Sequence, residues 1–240
     1  MGRTLGIIAD RVDAQSIPAV VVGHEPLGTH LTRLVLSSPR FADATTNPCD
    51  VTAFRVSRTD FRHYTPAVLD PERRELTIIV HRHGSGLGEE LVAGWSVGDD
   101  VKVCQWSSTR SFRWPDCPDP VVLLGDATVI SLAMAFADRA ARESRDVVTV
   151  LEVDAGDVDV TRELVPGAVV VAAGPEPGAA LDAWLREHPD VVATPDTPLV
   201  YLAGHGQSIQ RQRAFLREAC GIDRRRISTQ PYWATGKSGL

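Results

Sequence analysis

Three prolines and two aspartates fall within the six residues Pro115 to Pro120, and the hydrophobic pattern changes character across them. Before this segment the apolar runs are short and separated by turn residues, which reads as strands. They cover Ala19–Val22, Leu31–Leu36, Val51–Val56, a run through Tyr64, Leu76–His81 and Val101–Val103, with turns at Pro26-Leu27-Gly28, Asp70-Pro71-Glu72-Arg73 and Gly98-Asp99-Asp100. One brief helix is expected over Glu90–Trp95. Six short strands with so little helix predict a small antiparallel barrel. After the segment, strands and helices alternate: Val121–Leu124, helix Ile130–Arg142, Val147–Val153, Ala168–Ala173, helix Leu181–Arg186, Leu199–Ala203, helix Ser208–Ala219 and Ile227–Thr229. That alternation predicts a doubly wound parallel sheet. The expected division is a lead-in over 1–17, a barrel over 18–117 and an α/β domain over 118–240.

Composition narrows the function. The chain has 240 residues, 43% hydrophobic and 23% charged, enough for a globular domain of full size or two smaller ones. A net charge of −6 argues against a general nucleic-acid binder, and an anionic ligand would need a locally basic site. Lys102 and Lys237 are the two lysines, so arginine carries nearly all the positive charge. Cys49, Cys104, Cys117 and Cys220 form no CxxC pair and have no metal-ligand spacing to histidine, which predicts idle thiols and no metal. No cleavage pattern opens the chain and no run of about 20 apolar residues occurs, so a cytoplasmic protein without a membrane span is expected.

Arg62-His63-Tyr64-Thr65-Pro66 carries the most chemistry per residue. On a strand Arg62 and Tyr64 share a face. A planar ring such as an isoalloxazine could lie on Tyr64 while the Arg62 fork holds a phosphate, and Pro66 ends the pairing. The plainer alternative is a strand end with an arginine stacked on a tyrosine. Further on, an acid at the end of Val147–Val153 (Glu152, Asp154) could bind ribose hydroxyls and disfavour a 2′-phosphate, with Arg162 and Arg142–Arg145 as counterweights. Arg224-Arg225-Arg226 reads as solvated, Trp184 as core, and Trp95 and Trp114 as covers of the junction between the two domains.

The order Arg62-x-Tyr64-Thr65-Pro66, Asp70-Pro71-Glu72, His83-Gly84-Ser85-Gly86, Gly98-Asp99, Ser111-Phe112, Gly125-Asp126-x-Thr128, Ala203-Gly204 and Tyr232-Trp233 resembles the siderophore-interacting proteins, flavin-dependent ferric-siderophore reductases of the ferredoxin-reductase superfamily. The resemblance spans about residues 18 to 237. It implies FAD as cofactor and NADPH or NADH as electron donor. By that resemblance Tyr64 stacks on the isoalloxazine, Thr65 bonds near N5, and Arg62 neutralises the pyrophosphate. His83, Gly84 and Gly86 bring backbone donors, glycine allowing close approach and positive φ. Gly125, Asp126 and Thr128 lie on the nicotinamide side, and Trp233 closes over it. Tyr232 and Lys237 face the substrate.

The departures are equally specific. Where the family has a glycine-rich Gly-Pro-Arg-Gly-Ser-Phe turn, this chain has Gln105-Trp106-Ser107-Ser108-Thr109-Arg110-Ser111-Phe112, so Ser107, Ser108, Thr109 and Arg110 become the phosphate candidates. Ala127 and His205 stand where the family carries acids, and Lys237 is what remains of a basic cluster after Tyr-Trp. His205 is either a general acid or base, as its intrinsic pKa permits, or a polar loop residue. Three functions follow: a ferric-siderophore reductase, a tailoring enzyme acting on a biosynthetic intermediate, or a binding protein without turnover. All three take a small molecule and neither nucleic acid nor membrane.

Overall fold

The structure, a computed structural model, describes residues 15–82, 86–107, 111–193 and 197–237, with the backbone alone at 105–107. The chain forms two compact units, Met1–Thr109 and Arg110–Leu240.

The first unit contains β1 (Ile17–Leu27), β2 (Leu31–Ser37), β3 (Val51–Arg55), β4 (Phe61–Tyr64), β5 (Val68–Asp70), β6 (Glu75–His81), helix α1 (Leu87–Ala93) and β7 (Asp100–Ser107). They form one curled antiparallel sheet in the order β4-β3-β7-β1-β2-β6-β5. Seven strands replace the six expected. The addition is β5, three residues long, which pairs with β6 across the Pro71–Arg74 turn. Asp70 holds that turn by accepting from the Arg73 N–H, and Arg74 takes the left-handed conformation (φ 60°). Among the described residues β4 and β5 remain the two edges, so the pairing does not close into a ring. β1 is also longer than its apolar run, extending through Pro26 to Leu27 with a bulge between Val21 and Gly23. Alternating residues of β2 and β6 (Leu34, Leu36, Leu76, Ile78, Val80) join Phe41, Phe54, Val101, Val103 and Val92 of α1 in one core.

The second unit contains β8 (Val121–Asp126), α2 (Ile130–Glu143), β9 (Val147–Val153), α3 (Val158–Leu164), β10 (Val169–Ala172), α4 (Ala179–Glu187), β11 (Leu199–His205), α5 (Gly206–Glu218) and β12 (Ile227–Trp233). The sheet is parallel with order β10-β9-β8-β11-β12. Chain order reverses between β8 and β11, the topological switch of a doubly wound fold. Val122, Leu124, Val200 and Leu202 face α4 and α5 through Leu181, Leu185, Ile209 and Leu216. On α2, Phe136 meets Tyr201 of β11 edge-on at 5.2 Å. Helix α3 was not visible in the sequence; a β9–β10 parallel crossover calls for it.

The segment 111–115 belongs to this second unit. Phe112 packs edge-on against Tyr201 at 5.4 Å and Trp114 against Phe136 at 4.9 Å. The Tyr201 hydroxyl donates to the Arg113 carbonyl, the Trp114 indole N–H donates to Glu143, and Arg145 stacks on the Trp114 ring. This aromatic anchoring moves the division upstream of the proline-rich segment where the sequence pattern put it. Trp95 instead packs edge-on against Phe54 in the first unit, 5.0 Å between centroids.

Candidate functional site

The predicted residues gather at two places, one in each unit. In the first, β4 pairs with β3 so that Tyr64 lies opposite Thr52 and Arg62 opposite Phe54. Arg62 and Tyr64 share a face, as the strand period requires, and both stand against Gly88 of α1. A Cβ on Gly88 would lie 2.5 Å from the Tyr64 hydroxyl, too close unless Tyr64 shifts, and a tight 3.0 Å from Arg62 Cγ. Gly88 is therefore the glycine that this strip depends on, and it was not among the expected residues. Gly86 was, but its φ of −176° is extended backbone open to any residue, so the positive φ expected there is absent. The Tyr64 ring packs on Phe54 at 5.3 Å. Burial pushes its phenol up to about 12; Arg62 pulls the other way and Glu89 adds to the rise. Tyr64 is thus a neutral hydrogen-bonding group at any physiological pH. The Arg62 fork is steadied by donation to the Phe61 carbonyl at 3.0 Å, and Thr65 is buried beside it. Among the described residues no side chain caps the first turn of α1. His83, Gly84, Ser108, Thr109 and Arg110 lie outside the described residues, as does the side chain of Ser107.

In the second unit, the C-terminal ends of β8, β11 and β12 meet at the switch point. Asp126 is the hub. Its Oδ1 accepts from the Thr128 N–H (2.9 Å) and hydroxyl (2.5 Å), while its Oδ2 accepts from the His205 backbone N–H and the Trp233 indole N–H, each at 2.8 Å. Gly204 makes this possible. It sits at φ 104°, and a Cβ there would lie 2.5 to 2.7 Å from the Asp126 carboxylate. So Gly125-Asp126-x-Thr128, Ala203-Gly204-His205 and Trp233 are one knot.

His205 is 5% exposed and its ring lies 4.4 Å from that of Trp233, tilted by 34°. Nδ1 is 2.7 Å from the Ser208 hydroxyl, and Nε2 is 3.0 Å from the Thr235 hydroxyl. Ser208 gives its proton to the Pro177 carbonyl at 2.8 Å, so Nδ1 must be the donor and Nε2 the acceptor. Burial lowers the imidazole pKa; Asp126 opposes that shift and Arg211 adds to it. Both ring nitrogens are engaged, which leaves His205 holding structure and not poised for proton transfer. Tyr232 is half-buried beside Trp233, and Lys237 is exposed on the turn that follows.

Glu152 corrects another expectation. Its carboxylate, 4% exposed, accepts from the N–H groups of Gly178 (2.7 Å) and Leu181 (2.8 Å), and Ala180 adds a third. It caps the start of α4 and is not offered to a ribose. Burial raises its pKa despite these donors, with Asp126 adding to the rise. Arg142, Arg145 and Arg162 are likewise paired, with Asp138, Glu143 and Asp159.

The two folds together, a curled antiparallel sheet followed by a 3-2-1-4-5 parallel sheet, are those of the ferredoxin-reductase-like FAD/NAD-binding proteins. A siderophore utilization protein from T. fusca aligns with 94% of this chain and 95% of its own at 23% identity and a TM-score of 0.73. The siderophore-interacting protein of Acinetobacter baumannii aligns over 93% and 92% at 14% identity and 0.74. The ferredoxin-NADP+ reductase of Plasmodium falciparum aligns over 91% and 97% at 10% identity and 0.72. At these identities the likeness is one of fold. No curated protein sequence matches the chain. The family model of the siderophore-interacting proteins matches residues 118–236, which take in all the strands and helices of the second unit.

Proposed function

We propose that this protein is a flavin-dependent oxidoreductase that reduces a ferric siderophore, with FAD held by the Arg62-Tyr64-Thr65 strip and NADH or NADPH as donor. The observation that carries the reading is the pairing of Arg62 and Tyr64 on one face against Gly88. A fixed cation and a neutral phenol side by side suit a pyrophosphate and the rim of a flavin ring, so the residues fit the group. FAD, when bound, supplies the two-electron to one-electron conversion that iron reduction needs. The chain's own part is to bind and orient. Arg62 neutralises phosphate charge, Tyr64 presents its ring and hydroxyl, and Thr65 offers a hydroxyl from a buried position. A nicotinamide nucleotide at the switch point would meet backbone groups near Gly125–Thr128 and the Trp233 ring, because Asp126, Glu152 and His205 are already engaged. With Glu152 spent on α4, Asp154 is the acid left at that strand end to act on a 2′-phosphate.

The loss of basic residues after Tyr232-Trp233 favours a second reading, a tailoring enzyme that keeps the flavin and acts on a less anionic biosynthetic intermediate. A third, a siderophore- or flavin-binding protein without turnover, differs only in redox behaviour. Either way no disulfide joins the four cysteines, and no helix among the described residues is long and apolar enough to cross a membrane; we place the protein in the cytoplasm.

The visible spectrum of the purified protein tests the flavin, and anaerobic addition of NADH or NADPH tests the donor. Visible flavin absorption that bleaches, and returns on adding ferric siderophore, supports the reductase. Bound flavin that neither nicotinamide bleaches argues for the third reading. Tyr64→Ala is expected to weaken FAD retention about tenfold or more, through loss of a ring contact and a hydroxyl; unchanged flavin occupancy places the ring elsewhere. Lys237→Glu is expected to raise KM for an anionic ferric chelate with flavin content unaltered.

A further inference from the structure

His205 and Gln207 grip the chain beyond β12 from the β11–α5 corner. The Thr235 N–H points to His205 Nε2 (3.4 Å) and to Gln207 Oε1 (3.3 Å), the Thr235 hydroxyl lies 3.0 Å from the same Nε2, and Gln207 Nε2 donates to the Thr235 carbonyl at 3.1 Å. The turn closes with the Lys237 N–H donating to the Ala234 carbonyl at 3.2 Å. One buried imidazole thus touches the Trp233 ring with its face and Thr235 with its edge. The two residues flank Ala234 and lead directly to Lys237.

We propose that His205 is a positioning residue, whose neutral imidazole clamps Trp233 and Thr235 and so fixes the C-terminal turn that carries Lys237. The clamp goes beyond the assignment of a flavin reductase, although its effect on substrate rests on that reading. Its chemistry depends on one tautomer. Ser208 is committed to the Pro177 carbonyl, so Nδ1 carries the proton and Nε2 must accept. A second proton on Nε2 would face the Thr235 backbone N–H, a donor that cannot turn round; the hydroxyl can turn and accept. The doubly protonated ring therefore keeps one of two contacts to Thr235. The charged groups facing His205 are Asp126 from β8, whose carboxylate favours the cation, and Arg211 from α5, which disfavours it.

The test is tryptophan emission of the full-length protein, taken as the difference between wild type and Trp233→Phe, from pH 8 to pH 5. An imidazolium in contact with the indole quenches it, so the difference emission should fall with a midpoint below about 6.5, and His205→Gln should flatten the curve. A wild-type midpoint above about 6.5, or a fall in emission that His205→Gln leaves unaltered, overturns the proposal. Thr235→Val, on an exposed turn, serves if His205→Gln does not fold. Losing the hydroxyl opens Nε2 to water and should move the midpoint upward, and an unmoved midpoint overturns the clamp. With ferric citrate as the anionic chelate, Thr235→Val should raise KM about two- to tenfold, as loss of one neutral hydrogen bond allows, at constant kcat and flavin content. An equal fall in kcat with KM unchanged also counts against it. If the wild type reduces no ferric chelate, the reductase reading fails while the emission curves still decide the clamp.

Discussion

At Gly88 a single missing methyl group decides whether the strip exists. The residue sits where α1 crosses β4, and the Tyr64 hydroxyl occupies the space a Cβ would need. Gly88→Ala should push Tyr64 and Arg62 apart at a cost of about 1–3 kcal/mol, the usual penalty of overpacking. The expected outcome is a folded protein with reduced FAD affinity, read by thermal unfolding and flavin titration together. Full flavin affinity in that variant would show that Tyr64 can shift without consequence. The sequence made Arg62 and Tyr64 visible, because a cation and an aromatic two residues apart on a strand share a face by period alone. It could not single out Gly88 among the glycines of His83–Gly88, since what distinguishes Gly88 is a neighbour on another element.

At the scale of elements, the link between β9 and α4 is a carboxylate. Glu152 satisfies three N–H groups at the start of a helix whose N-cap, Gly178, has no side chain. Glu152→Gln replaces one acceptor oxygen by a donor that opposes a backbone N–H. The cost should be about 1–3 kcal/mol by chemical denaturation, with the amides of α4 losing hydrogen-exchange protection first. Equal stability of the two proteins would remove Glu152 from the capping role. The strands of this unit were legible because Val121–Leu124 is an apolar run buried on both faces and Val147–Val153 is rich in β-branched residues, buried from Thr149 onward. Helix α3 was not. Val158-Asp159-Val160 alternates like a strand, and only the crossover between parallel strands makes it helical. β5 escaped for a different reason: three residues carry no period.

For the molecule as a whole, acid stability has two opposing contributions. Burial lowers the His205 pKa below its unfolded value near 6.5. Between the two values the unfolded chain binds more protons, so this contribution is present above about pH 6.5 and is lost as pH falls through the folded pKa. Glu152 works the other way. Its folded pKa is raised, so its contribution is present below about pH 4.5 and is lost as pH rises through the folded value. Urea unfolding at pH 7.5 and 5.5 should show wild type losing more stability between these points than His205→Gln. A steeper pH dependence in the variant would mean that His205 is not buried neutral.

Local period and turn chemistry act over a few residues, and they were enough to mark most elements and their order, β5 and α3 excepted. The sequence by itself also marked the cationic–aromatic strip and the Gly-Asp-x-Thr and Ala-Gly motifs as places where chemistry gathers. Tertiary structure decided what those residues are for. Asp126 and Trp233 are 107 residues apart and hydrogen-bonded, Glu152 is turned onto a helix 26 residues on, and the segment 111–115 is drawn into the second unit by Tyr201 and Phe136. A carboxylate or an imidazole has the same letter whether it faces a ligand or a backbone N–H, and only packing across the sheet settles which donor reaches it first.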